Sequence, residues 1–159
     1  MLLILYFLFF HKIETRYPVL IADIGGTNVR LSLLNMSKDK SVAPEQIDST
    51  KLSPAKFPSL QELLKEYLSK VKPENYPLYA VFGIPGPVKN NEVMGITNIP
   101  HWPKFSGEEM AKLFNIKKFI LLNDFTCNGY GVQTDLKLNE DYIPLNDVTP
   151  QEGGPKLIV

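Results

Sequence analysis

The sequence predicts an α/β protein, with a mixed sheet that begins with a β-hairpin and is flanked by helices. Two apolar runs surround a Gly-Gly pair at residues 25–26, which is typical of two strands joined by a tight turn. Further along, short apolar runs alternate with segments whose apolar residues recur at helical spacing. The 159 residues, of which 44% are hydrophobic, fit one soluble globular domain. The 17 basic and 17 acidic side chains cancel, which argues against nucleic acid or an anionic membrane as a partner.

The predicted hairpin spans residues 19–35. Residues 19–22 are all apolar, which favours a central strand that is covered on both faces and ends at Asp23. Residues 29–35 alternate between apolar and polar side chains, which predicts a second strand. A weaker pattern at residues 46–49 predicts a third strand.

Two capping patterns predict where helices begin. Ser59 and Glu62 have the spacing of a capping box, and the apolar residues that follow predict an amphipathic helix over residues 60–71. Ser106 and Glu109 have the same spacing and predict a second, shorter helix. The residues expected to face inward on that helix are Met110, Leu113 and Phe114.

Two more strands are predicted in the second half of the chain. Residues 78–82 form an apolar strand that runs into the turn-forming sequence GIPGPV, and KNNE after it is typical of a hairpin tip. Residues 119–122 form the last clear strand, which delivers Asn123 and Asp124 to its carboxyl end. The sequence FTCNGYGV then begins a helix.

The two ends of the chain differ from its middle. Residues 1–16 start with ten apolar residues, too few for a membrane-spanning helix of about 20, and they lack the basic start and cleavage site of a signal peptide. We expect this leader to lie outside the fold, with a membrane tether, a cryptic signal or an added core element as the alternatives. Residues 17–135 are expected to form one domain, followed over 136–159 by a linker and a strand that starts at KLIV.

Cysteine and histidine form no metal-binding pattern. Cys127 is the only cysteine in the sequence, so no disulfide can form within the chain and a reducing compartment is expected. His11 and His101 are far apart and have no cysteine or acidic cluster beside them. Both are therefore expected to be surface or core residues.

The sequence DIGGTN at residues 23–28 fits neither of two well-known nucleotide loops. A Rossmann turn and a Walker loop have other glycine spacings and open a helix, whereas a strand follows here. A third use is a hairpin whose glycines let backbone N–H groups approach phosphate oxygens, with Asp23 near their metal ion. The alternative is structural, with Gly25 and Gly26 making a tight turn in which Asp23 accepts hydrogen bonds.

Two other polar pairs are candidates for ligand binding. Asn123 and Asp124 follow a strand at the sheet edge where α/β proteins bind ligands. Asp124 can act as a general base toward a hydroxyl group while Asn123 holds a neighbouring oxygen; the alternative is a helix cap. Thr97 and Asn98 lie close in sequence to Trp102, which suits a sugar; the alternative is a polar turn beside a core tryptophan.

Taken in order, the sequences LIADIGGTNVRLSLL, AVFGIPGPV, ITNIPHW and LLNDFTCNGYG resemble the amino-terminal half of the bacterial-type glucokinases, within the superfamily of sugar kinases, actin and chaperone ATPases. The resemblance covers about residues 19–130. It implies a ribonuclease H-like (actin-like ATPase) fold, with residues 17–135 as the small amino-terminal domain and 136–159 as the start of the large one. It also implies a cytoplasmic enzyme of glycolysis that forms a homodimer at full length.

The resemblance implies roles for individual residues. Asp124 corresponds to the catalytic base, and Asp23 lies near Mg²⁺, which it holds directly or through water. The residues that correspond to glucose contacts are Thr97, Asn98, Asn123 and Asp124. The residues that correspond to the first ATP-phosphate motif are Ala22, Asp23, Ile24, Gly25, Gly26 and Thr27. The GIPGPV turn is expected to lie beneath the sugar loop.

The implied reaction transfers the γ-phosphoryl group of ATP to the 6-hydroxyl of glucose, and Asp124 accepts the hydroxyl proton. The family's second phosphate motif, its sugar-binding Glu and His residues and its adenosine-binding segment do not occur in this sequence, so we expect an incomplete chain. The alternatives are a non-catalytic sugar-binding or regulatory fragment and an ATPase that has no sugar substrate.

Overall fold

A computed structural model describes residues 16–132. The strands in this part of the chain are β1 (Arg16–Ile24), β2 (Val29–Ser37), β3 (Glu45–Leu52), β4 (Tyr79–Ile84), β5 (Val88–Lys89), β6 (Glu92–Val93), β7 (Phe105–Ser106) and β8 (Lys118–Asn123). The α-helices described are α1 (Leu60–Leu68), α2 (Gly107–Leu113) and α3 (Asp124–Gly131). A five-stranded sheet has the order β3-β2-β1-β4-β8, and a small sheet has the order β5-β6-β7. The predicted mixed α/β architecture is confirmed.

β1 and β2 form the predicted hairpin. They pair antiparallel from Arg16 opposite Ser37 to Ile24 opposite Val29, while β1 pairs in parallel with β4 on its other side. β1 begins at Arg16, a position that the sequence interpretation assigns to the leader, and it continues through Asp23. Pairing on both sides extends the strand past a polar residue at which the apolar run ends. β3 confirms the weakly predicted third strand and is longer than expected.

One face of the large sheet carries the core. Alternate residues of its strands point to this face, and α1 buries five side chains in the same cluster. A fully buried side chain of this kind contributes on the order of 1.5–3 kcal/mol to folding. The cluster includes Leu20, Leu31, Phe82 and Leu121 from the strands and Leu60, Leu63, Leu64, Tyr67 and Leu68 from the helix.

The opposite face of the sheet is partly open within residues 16–132. Ile21 is 39% exposed, and an apolar groove of about 740 Å³ runs past Tyr17, Val19 and Ile120. The prediction that the first strand is covered on both faces is therefore wrong for the part of the chain described. An apolar run indicates which side chains can be buried, but it does not indicate which element covers them.

The helices begin where the capping patterns predict. The Ser59 hydroxyl accepts a hydrogen bond from the Glu62 N–H at 3.2 Å and begins α1. α1 ends at Leu68 rather than at residue 71, because Val71 N bonds to the Leu68 carbonyl in a tighter three-residue turn. The chain then extends at Lys72, as expected before a proline.

α2 begins with a complete capping box. The Ser106 hydroxyl accepts from the Glu109 N–H at 3.2 Å, and the Glu109 carboxylate accepts from the Ser106 N–H at 3.0 Å. Met110 is buried as predicted, but Leu113 is 50% exposed, so its predicted inward position is wrong. The helix ends at Leu113, and Ile116 beyond it is buried in the core instead.

The hairpin predicted at KNNE joins β5 to β6. Its two tip residues, Asn90 and Asn91, have φ values of 51° and 59°, a left-handed conformation that asparagine tolerates well. The helix predicted at FTCNGYGV is α3. Among residues 16–132 no helix is long and apolar enough to cross a membrane. The leader before Arg16 and the predicted KLIV strand lie outside the described residues.

Candidate active site

The carboxyl ends of β1, β4 and β8 meet at one edge of the large sheet, because these three strands are parallel neighbours. Asp23 lies opposite Gly83 in the first pair, and Ile84 lies opposite Asn123 in the second. The sheet therefore brings Asp23, near the end of β1, and Asp124, directly after β8, to the same edge. This is the edge at which α/β sheets commonly bind ligands.

Residues 25–28 form the loop between β1 and β2. The Gly25 N–H donates to the Asn28 carbonyl at 2.8 Å and closes the turn, as the structural alternative predicts. The N–H groups of Gly26 and Thr27 donate to no other group within residues 16–132, and both residues are exposed. The loop thus combines a structural turn with two free backbone donors that face solvent.

The predicted phosphate motif divides into core and surface positions. Ala22 and Ile24 are 3% and 1% exposed and belong to the core, so their side chains cannot contact a ligand. Asp23 between them points to the other face and is exposed. The alternation of a β-strand explains this division, since successive side chains point to opposite faces.

The loop at Thr97 and Asn98 lies directly against the glycine loop. A Cβ atom on Gly26 would lie 2.7 Å from the Asn98 Cβ and 3.3 Å from the Asn98 carbonyl oxygen. Such separations are shorter than van der Waals contact, so only glycine fits at position 26 in this arrangement. The side chains of Thr97 and Asn98 are exposed beside it.

The GIPGPV turn lies beneath this second loop, as expected. A Cβ on Gly86 would lie 2.9 Å from the Gly95 carbonyl oxygen. Trp102, in contrast, is 5% exposed, and its indole N–H donates to the Phe57 carbonyl at 2.9 Å. Its predicted place as an aromatic wall for a sugar is therefore wrong, and the alternative of a core tryptophan is correct.

Arg30 is a site residue that the sequence reasoning missed. It lies opposite Asp23 in the hairpin register, and its guanidinium donates to the Asp23 carboxylate at 2.9 Å. The two side chains are 62% and 61% exposed, so solvent screens the pair and it contributes only about 0–1 kcal/mol to stability. The strand alternation around Arg30 places it on the same face as Asp23, which is the signal that could have identified it.

Asn123 forms the cap of α3. Its Oδ1 accepts from the N–H groups of Phe125 and Thr126, and its Nδ2 donates to the Gly86 carbonyl at 3.0 Å. Asp124, the first residue of the helix, accepts from the Phe125 N–H through Oδ1 at 2.9 Å. Its other oxygen, Oδ2, has no hydrogen-bond partner within residues 16–132. Asn123 therefore provides most of the helix cap, and one carboxylate oxygen of Asp124 has no partner among the described residues.

Cys127, on α3, packs against Gly83 of β4. Its Sγ lies 3.4 Å from the position that a Cβ on Gly83 would occupy. Burial raises the pKa of the Cys127 thiol, and the charges of Asp124 and Asp23 raise that pKa further. The thiol thus senses both carboxylates, of which Asp23 belongs to β1 and Asp124 to the start of α3. A single cysteine in a polar sequence gave no signal for this position.

A metal ion at this site would rely on few protein ligands. Residues 16–132 contain no group of three or more His, Cys, Asp or Glu side chains that could enclose a metal ion. Mg²⁺ often binds through one or two carboxylates together with the phosphates of a substrate. The exposed Asp23 carboxylate beside the free loop N–H groups fits that mode.

Solved structures that resemble this one are sugar kinases of the actin-like ATPase fold. A glucokinase from an Antarctic psychrotroph matches with a TM-score of 0.65 and 32% identity, covering 77% of this chain and 37% of that one. A glucokinase from Balamuthia mandrillaris, solved in complex with glucose, matches with a TM-score of 0.53 and 21% identity, covering 77% and 33%. At that lower identity the likeness shows the fold alone. The class of the domain is therefore an actin-like sugar-kinase fold.

Sequence comparison gives the family within this class. The glucokinase family model matches residues 20–159. A curated glucokinase of Helicobacter pylori is 33% identical over 151 residues, and one of Chromohalobacter salexigens is 33% identical over 141 residues. The chain belongs to the glucokinase family, which confirms the resemblance carried by the four motifs. It spans 41% of the length of each of these two relatives, whereas the alignments cover 93% and 89% of this chain.

Proposed function

We propose that this protein contributes the amino-terminal part of a site that transfers phosphate from ATP to the 6-hydroxyl of glucose, forming glucose 6-phosphate at the entry to glycolysis. The observation that carries the proposal is the contact between Gly26 and Asn98, which joins the predicted phosphate loop to the predicted sugar loop. Family membership supports the same reaction. Glucose is part of the proposal because the family is named for it and because one structural relative was solved with glucose.

The phosphate side of the proposed site uses backbone donors. The N–H groups of Gly26 and Thr27, which are free within the described residues, are suited to phosphate oxygens because concave loops of such donors bind anions. Gly25 contributes the turn instead, since its N–H is already bonded to Asn28. The exposed Asp23 carboxylate supports a role in holding Mg²⁺ directly or through water, and the ion would neutralise charge on the phosphates.

The sugar side uses the open oxygen of Asp124. A carboxylate with one free oxygen can accept the proton of a hydroxyl group as that group attacks phosphorus. The helix N–H bond to Oδ1 fixes the orientation of this carboxylate. Thr97 and Asn98 are exposed beside the glycine loop and are suited to bind sugar hydroxyls, and Asn123 retains one amide hydrogen for the same purpose. Phosphoryl transfer depends mainly on such positioning.

A second candidate is a non-catalytic sugar-binding or regulatory protein. The observation that favours it is that Thr97 and Asn98 are exposed beside the glycine loop, where they are suited to bind a sugar whether or not phosphate is transferred. A kinase of this fold closes on its substrates to exclude water, and this step requires surfaces on both sides of a cleft. For the full-length protein we also propose a homodimer. The single thiol and the use of ATP support a cytoplasmic location.

The experiment that tests the proposal measures glucose 6-phosphate formed from glucose and MgATP. We would assay the chain itself and a fusion in which it replaces the corresponding part of the Helicobacter pylori glucokinase. Activity of the fusion without activity of the chain supports a kinase site that needs the remaining residues. A folded, inactive fusion that still binds glucose supports the second candidate. A folded fusion that neither reacts with nor binds glucose contradicts the proposal.

A further inference from the structure

We propose that Asn91 is a positioning residue: its side-chain amide acts as a single residue of a further strand on the free edge of β8 and holds the strand end that carries Asn123 and Asp124. The assignment of that strand end to sugar binding rests on the function proposed above. The pairing of Asn91 with β8 does not depend on it.

The hydrogen bonds of Asn91 reproduce those of a neighbouring strand. Its Oδ1 accepts from the Leu121 N–H at 2.7 Å, and its Nδ2 donates to the Phe119 carbonyl at 2.9 Å. β8 is an edge strand whose described neighbour is β4, so the groups of Phe119 and Leu121 point away from the sheet. One amide therefore bonds the outward N–H and C=O groups that a sixth parallel strand would use.

Asn91 is itself fixed by its surroundings. Its carbonyl accepts from the Gly107 N–H at 2.9 Å, and its Nδ2 also donates to a Glu108 carboxylate oxygen at 2.9 Å. This second bond lowers the pKa of Glu108. A Cβ on Gly107 would clash with both Asn91 Nδ2 and the Phe119 carbonyl, so the three segments are in close contact. The amide is thus anchored at the tip of one hairpin and at the start of α2.

The segment of residues 86–91 makes a second hydrogen-bonded contact with β8, close to the candidate site. The Gly86 carbonyl accepts from Asn123 Nδ2 at 3.0 Å, so residues 86–91 are bonded to β8 at both of their ends. Gly86 also lies against Gly95, which precedes the loop of Thr97 and Asn98. Through these contacts, Asn91 fixes the sugar loop relative to the Asp124 carboxylate without touching either.

The matched variants are Asn91→Gly and Asn90→Gly. Both tip residues have positive φ, and glycine accepts that conformation, so each change removes a side chain without adding backbone strain. Asn90 has no side-chain hydrogen bond within residues 16–132 and is exposed. It therefore controls for the change in the hairpin itself.

The first measurement is amide hydrogen exchange of the wild-type chain and both variants, followed by NMR. We expect the Leu121 amide to be protected in the wild type, to exchange about 10-fold faster in Asn91→Gly, and to be unchanged in Asn90→Gly. We also expect the amide resonances of residues 123–125 to shift in Asn91→Gly alone. An unprotected Leu121 amide in the wild type overturns the proposal even if Asn91→Gly does not fold. Unchanged exchange or unchanged resonances in a folded Asn91→Gly also overturn it.

The second measurement is a glucose titration of the wild type and both variants, each as the chain itself and in the fusion with the Helicobacter pylori glucokinase. We expect the Kd for glucose to increase about 10-fold in Asn91→Gly and to remain unchanged in Asn90→Gly. An unchanged Kd in Asn91→Gly overturns the positioning role. A wild-type chain and fusion that do not bind glucose contradict the proposed function instead, while the exchange and resonance data still decide whether Asn91 holds β8.

Discussion

Gly26 and Asn98 lie so close that a Cβ atom on residue 26 would be 2.7 Å from the Asn98 Cβ. The two residues belong to loops that are far apart in the sequence, and each loop follows a different strand of the fold. Their contact explains why the second position of the glycine pair is a glycine, because a larger residue does not fit there. In the proposed site, we therefore expect a change at Gly26 to affect the loop of Thr97 and Asn98.

Gly26→Ala tests this contact. We expect the added methyl group to displace Asn98, to lower the free energy of unfolding by roughly 1–3 kcal/mol and to weaken glucose binding. Denaturant unfolding and a glucose titration measure the two effects. Gly131→Ala is the control, because a Cβ at that position meets no atom of residues 16–132 within 4 Å. If Gly26→Ala is as stable as the control and binds glucose equally well, the two loops are not in the contact described.

Asp23→Asn separates the chemical role of Asp23 from its ion pair. Because Asp23 and Arg30 are largely exposed, we expect the free energy of unfolding to change by only about 0–1 kcal/mol. We expect the KM for MgATP of the fusion to rise at least about 10-fold, since a ligand of the metal–phosphate group is lost. Glu45→Gln is the control, because it removes the 2.8 Å ion pair to Arg16 at the other end of β1. Equal KM values for both variants would exclude Asp23 from the MgATP site.

The thiol of Cys127 reports on the charge of the site. Burial and the two nearby carboxylates raise its pKa, so less thiolate is present at a given pH than in a free cysteine. We expect the pH midpoint of alkylation by iodoacetamide to lie above that of the same chain unfolded in denaturant, in which Cys127 is the only thiol. Asp124→Asn should move the midpoint down but not to the value of the unfolded chain, because burial is the largest cause. A midpoint that Asp124→Asn leaves unchanged would show that the Asp124 carboxylate does not act on the thiol.

Local patterns in the sequence predicted the elements that position the site. The hairpin was predictable from the apolar runs around Gly25, and α1 and α2 from the Ser59 and Ser106 caps, because strand alternation and helix capping act over a few residues. The strand that ends at Asn123 was predictable for the same reason. The order of four motifs then gave the family.

Features that depend on contacts between distant segments could not be predicted in this way. Leu113 has the right spacing to face inward, yet the core is filled by a residue beyond the helix end. Trp102 could have been a sugar platform or a core residue, and only its bond to the Phe57 carbonyl decides between them. Asn91 sits in a polar tip that resembles any other turn, and its pairing with β8 exists only in the folded chain.

The kcat of Asp124→Asn in the fusion tests whether Asp124 is the base toward the glucose 6-hydroxyl. Asparagine can keep the hydrogen bond that Oδ1 accepts from the Phe125 N–H, so the variant should fold normally. We predict that kcat for glucose 6-phosphate formation falls by about 100-fold to 10,000-fold while the KM for glucose changes little. A folded variant that keeps most of its kcat would show that Asp124 is not the base.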